Sequence, residues 1–129
     1  TWISSTLASE TGSLAAVAAV LAWHDKADIC QSLWSMGAEM REIVSNAMSA
    51  AGITGVSIEG IDPMWFLRFE DPGTETAFLR AAVRHGVLFK RGAYNFAAVA
   101  HDDDALREIE SGASAAFVSL REESEDVED

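Results

Sequence analysis

Residues 86–101 read GVLFKRGAYNFAAVAH, and the fold turns on how that stretch is understood. A short apolar run, Val87-Leu88-Phe89, meets the basic turn Lys90-Arg91-Gly92. A second apolar run, Tyr94 to Val99, leads to His101 and to the acids Asp102-Asp103-Asp104. A helical pattern follows. Runs of this length bounded by glycine and charge predict two short strands, a turn between them and a helix start.

Working outward, the last helix is expected from about Asp103 to Leu120. Leu106, Ile109, Ala113, Ala116, Phe117 and Leu120 recur on one face. Before the central stretch, a helix from about Thr74 to His85 turns Phe78, Ala81 and Ala82 inward, and Gly86 closes it. Asp71-Pro72-Gly73 separates that helix from a strand, MWFLRFED. Ile61-Asp62-Pro63 is a turn, preceded by a short strand in which Val56 and Ile58 alternate with Ser57 and Glu59. The cleanest periodicity belongs to Ile29, Leu33, Met36, Met40, Ile43, Val44 and Ala47, a helix with Asp28 as its cap and Gly52 past its end. Residues 1–7 read as an extended lead-in. A helix capped by Ser9 or Thr11 then runs to about Trp23. The expected order is α, α, β, β, α, β, β, α. Its fold class is α+β, with helices on one face of a small, mostly antiparallel sheet.

The chain has 129 residues and one cysteine, with a net charge of −12. Residues 102–129 hold 11 of the 21 acids, with only Arg107 and Arg121 as bases. The acidic balance and the lack of a basic run argue against nucleic acid and against an anionic membrane surface. The ten-residue apolar run Leu14–Trp23 is too short to span a bilayer and lacks a basic start. A single Cys30 excludes an internal disulfide and suits a reducing, cytoplasmic compartment. The tail REESEDVED, residues 121–129, is expected to be solvated and disordered. The helix over 14–23 is apolar on nearly every side, so a neighbour is expected to cover it. The neighbour would be more of the same protein or another subunit. The large apolar opening Thr1-Trp2-Ile3 raises the expectation of preceding sequence, with processing as the alternative.

Candidate chemistry is sparse. His24, His85 and His101 have no ligand spacing between them, and structural roles are expected, His85 at a helix C-terminus. Cys30, near a helix start, is expected in buried packing. The three aspartates suit capping better than a cation. Ser4-Ser5-Thr6 with Gly86 and Gly92 has the hydroxyl and backbone-donor character of a phosphate site, though a capped turn has it too. Lys90 and Arg91 attract an anion or are simply solvated. No Ser/His/Asp set, P-loop or G-x-G-x-x-G occurs.

Taken together, several segments resemble the C-terminal part of class III pyridoxal-phosphate aminotransferases, nearest the glutamate-1-semialdehyde aminomutase-like branch. SSTLASETGSLAAVAAVLAW (4–23) is similar to the family's Ser-Thr-aromatic-x-Gly-Glu-Thr segment and following helix. ADICQSLWSMGAEMREIV (27–44) is similar to its long connecting helix with Leu-Trp-x-x-Gly. FLRFEDP (66–72), FLRAAVRHGVLFKRG (78–92) and AAVAHDDDALREIE (97–110) are similar to the strand and helix segments after it. The resemblance covers nearly all of residues 1–120. It implies the small C-terminal domain of a fold-type I transferase, preceded by a long connecting helix. Residues 1–28 would end the large cofactor-binding domain, and 29–120 would form the small domain.

It further implies pyridoxal phosphate as cofactor in the complete enzyme, with Thr6 on the cofactor phosphate across a homodimer and Ser5 a weaker neighbour. A small-molecule amino donor and carbonyl acceptor would be the substrates. The family's Schiff-base lysine lies upstream of the Thr segment, whereas this chain has only Lys26 and Lys90. The resemblance therefore implies a chain inactive alone. Ser9 replaces the usual glycine, and GAYNFAAVA (92–100) lacks the glutamate of true aminomutases, which points to an aminotransferase. The alternative from another class is a non-catalytic interaction or ligand-binding module that dimerises through the 14–23 helix.

Overall fold

A computed structural model describes residues 10–125, with side chains through residue 123. The chain divides into two compact units, residues 1–32 and 33–129. The first contains α1 (Thr11–His24) and the start of α2 (Ile29–Ala50). Glu10 stands at the N-cap of α1, not Ser9 or Thr11, and its side chain caps no backbone N–H. Its carboxylate instead accepts the Ser13 hydroxyl at 3.1 Å. No residue of α1 is buried. Asp28 does cap α2, accepting the Gln31 backbone N–H at 2.9 Å. Cys30 corrects the expectation of burial, because it is exposed. It follows Ile29, which takes the buried position, and one residue turns a helix by about 100°.

The second unit is a small α+β domain. The rest of α2 leads to β1 (Val56–Ile61), β2 (Met64–Phe69), α3 (Pro72–Arg84), β3 (Asn95–Phe96) and α4 (Asp103–Glu125). The three strands form one antiparallel sheet in the order β1-β2-β3. Asp62-Pro63 forms the tight turn between β1 and β2, and Ile61 pairs with Met64. Directly paired residues share a face, so Val56 and Ile58 lie beside Phe69 and Leu67. That face meets the helices. Met40, Val44 and Ala47 of α2, Phe78, Ala81 and Ala82 of α3, and Leu106, Ala113, Ala116, Phe117 and Leu120 of α4 join Trp65 and Leu67 in one buried cluster. Phe78 is its centre, with ring centroids 5.4 Å from Phe69, 5.3 Å from Phe89 and 4.5 Å from Phe117.

Gly37 lets α2 approach the hairpin. A Cβ there would overlap the Asp62 carbonyl. Gly86 ends α3 at φ +83°, and the Val87 N–H returns to the Ala82 carbonyl at 2.9 Å, a Schellman ending.

The central stretch departs from expectation. Val87-Leu88-Phe89 is not a strand, and the run from Tyr94 to Val99 keeps only the two residues of β3. The polar groups of this stretch are satisfied locally. The Lys90 N–H donates to Asn95 Oδ1 at 3.0 Å. Arg91 donates to Glu75 at 3.1 Å and to Thr76 Oγ1 at 2.8 Å, and the Gly92 N–H donates to Glu75 Oε1 at 3.3 Å. The basic turn is thus tied to the first turns of α3, where a longer ladder would have carried it along β2. Two helix bounds also move. Pro72 begins α3 two residues before Thr74, because Asp71 is the cap. The last helix continues past Leu120 to Glu125, so residues 121–125 of the expected disordered tail are helical; residues 126–129 lie outside the described residues.

Candidate functional site

The sheet, the loop after α3 and the start of α4 border a half-open cavity of about 290 Å³ in the second unit. Its apolar walls include Met40 of α2, Trp65 of β2, Val87 and Phe89 of the loop, and Ile109 of α4. Three side chains with polar ends line it: Asn95, His101 and Glu108.

Each is placed by its own local structure. Asn95 lies in β3 with its amide engaged at both ends. Oδ1 accepts the Lys90 N–H, and Nδ2 donates to the Trp65 carbonyl at 3.4 Å. His101 closes a short turn in which its N–H donates to the Ala98 carbonyl at 3.0 Å. Its Nδ1 in turn accepts the Ala98 N–H at 3.0 Å. A ring nitrogen that accepts carries no proton, so this geometry assigns the imidazole proton to Nε2. Glu108 is held by α4, whose first turn is capped where Asp102 Oδ1 accepts the Ala105 N–H at 2.9 Å.

Trp65 is fully buried, and its indole Nε1 has no hydrogen-bond partner. An unpaired buried N–H costs about 1–3 kcal/mol, so this wall is under polar strain. Besides that indole N–H, the cavity offers the His101 Nε2–H as a donor and one carboxylate, Glu108, over an apolar floor. That set suits a small, largely apolar molecule with a polar end. It contains no nucleophile activated by a base.

The sequence candidates are scattered. Ser5 and Thr6 lie outside the described residues. Gly86 lines the cavity, while the Gly92 N–H, a candidate phosphate donor in the sequence, donates to the Glu75 carboxylate. His24 ends α1. His85 stands at the C-cap of α3 with Nε2 3.5 Å from the Ser119 hydroxyl, and no carboxylate among the described residues orients it as a base. No three His, Cys, Asp or Glu side chains among the described residues converge as a metal site. Lys26 lies at the hollow between α1 and α2, and Lys90 is exposed and does not line the cavity. The described residues therefore do not fit a covalent pyridoxal-phosphate site.

Sequence reasoning missed the cavity itself. His101 and Glu108 are seven residues apart, and only the turn at Ala98–His101 brings the ring back over α4; no spacing signals that. Compared with family models, with curated proteins and with solved structures, the chain matches none. No helix among the described residues is long and apolar enough to cross a membrane.

Proposed function

We propose that this chain is the small-domain part of a class III pyridoxal-phosphate aminotransferase, acting beside a large domain that holds the cofactor and its lysine. In that reading the complete enzyme moves an amino group between an amine or amino acid and a carbonyl compound. Thr6, with Ser5 beside it, contacts the cofactor phosphate across a homodimer. The small domain closes one wall of the site, and the chain alone does not transaminate.

The observation that carries the reading is α1. Leu14, Val17, Val20, Leu21 and Trp23 are 45–59% exposed, and the helix has no buried residue. An apolar helix left this open is a surface for another folded body. The α+β class of the domain after it, with its long preceding helix, supports this reading, although the strand that the resemblance implies over Val87–Phe89 is not formed.

A second reading is favoured by the cavity over His101 and Glu108: a non-catalytic ligand-binding module that dimerises through the 14–23 helix. Absorbance separates the two. The chain alone with added pyridoxal phosphate should show no visible band beyond free cofactor. Joined to a lysine-bearing large segment encoded in frame upstream of Thr1, it should gain a band and amino-transfer activity. Cofactor trapped by borohydride on Lys26 or Lys90 of the chain alone would overturn the first reading, and so would upstream DNA with no such segment.

A further inference from the structure

The face of α3 turned away from the core carries a feature that the net charge conceals. From Thr76 to His101 the sequence contains no acid, yet it holds Arg80, Arg84, Lys90 and Arg91. The fold gathers Arg80, Val83, Arg84, Leu88 and Arg91 along one shallow groove. Arg91 is neutralised by Glu75. Arg80 and Arg84 enter no ion pair among the described residues. Between them Val83 is 59% exposed and Leu88 is 83% exposed. Free guanidinium groups beside bare aliphatic side chains suit an acidic, partly apolar segment.

The same chain presents such a segment. The end of α4 carries exposed Glu122 and Glu123 directly after Arg121, and its last turn has no base. Val118, one turn earlier, is 37% exposed. Acids at the negative end of a helix dipole are unfavourable by themselves and are relieved by an outside cation. Within one copy, no ion pair among the described residues joins Arg80 or Arg84 to these acids. Phe78 packs on Phe117 at 4.5 Å on the buried side of α3, opposite the groove.

We propose that the Arg80–Arg84 groove receives the acidic end of α4 from a second copy, and that the contact is reciprocal. A self-complementary pair of patches of this kind closes a two-fold dimer. The proposal is independent of α1 and of the aminotransferase reading.

Charge reversal tests it by sedimentation velocity on the full chain. Wild type should sediment as a dimer. R80E/R84E alone and E122R/E123R alone should each sediment as monomers, since each sets like charges against each other. An equal mixture of the two variants should recover the dimer, because both contacts are then complementary. All the altered side chains are exposed, and the mixture itself reports that the variants are folded. If R80E/R84E lost its helical circular dichroism, R80Q/R84Q would take its place, and if E122R/E123R did, E122Q/E123Q would, with loss of the dimer again expected. A monomeric wild type, a variant that still dimerises alone, or a mixture that stays monomeric would overturn the proposal. Dimerisation through α1 would leave every variant dimeric, so it cannot imitate the expected pattern.

Discussion

Asp71 shows how much one side chain can set. It stops β2, caps α3 and fixes the position of Pro72 in the first turn. Its carboxylate accepts the Thr74 N–H at 2.6 Å and the Thr74 hydroxyl at 2.9 Å. Those two bonds, the backbone one first, hold its pKa below the ordinary carboxylate value. A depressed folded pKa stabilises the fold above the unfolded pKa, and that contribution is lost as pH falls through the folded one. The melting temperature of wild type should therefore exceed that of D71A at neutral pH. The gap should close as pH drops below about 4, as followed by thermal melts at a series of pH values. A gap that widens in acid would refute the assignment.

Among the elements, α2 was the most legible. Every residue of its apolar stripe, from Ile29 to Ala47, is buried or half-buried, because a helix satisfies its own backbone and leaves burial to the side-chain period alone. The inward faces of α3 and α4 were read for the same reason. Strands depend on a partner. Val87–Phe89 has strand composition, but Glu75, Thr76 and Asn95 take up the polar groups of the loop beyond it, and nothing in the local sequence announces those distant acceptors. The close approach of α2 to the β1–β2 turn was equally hidden, although Gly37 is its mark. Gly37→Ala gains about 1 kcal/mol in helix propensity. It also drives a methyl into the Asp62 carbonyl, and overpacking against backbone that cannot rotate away costs about 1–3 kcal/mol. Urea denaturation should show a net loss of stability, and an unchanged midpoint would mean that the helix and the hairpin are further apart than described.

At the scale of the molecule, apolar α1 and the acidic end of α4 are the features that a lone chain leaves unsatisfied. Composition foretold the first, since ten consecutive apolar residues admit no polar side. The proposed phosphate contacts, Ser5 and Thr6, rest on resemblance, because they fall outside the described residues. Replacing Val17 and Leu21 by serine should leave the helical circular dichroism of the second unit intact and lower the binding of an apolar dye such as ANS. It should also abolish any association with a large-domain segment. Dye binding that persists would place the sticky surface elsewhere, with Leu88 and Val83 the next residues to examine.

The basic turn at Lys90–Gly92 is fastened by side chains, not by a ladder of backbone pairs. Its fastenings are only a few atoms wide: one guanidinium on Glu75 and Thr76, the Gly92 amide on Glu75, and one carboxamide on the Lys90 amide. Such a turn can gain or lose residues around Ala93 without disturbing strand register, so in a lineage of such domains it is the place where insertions should accumulate and new specificities begin.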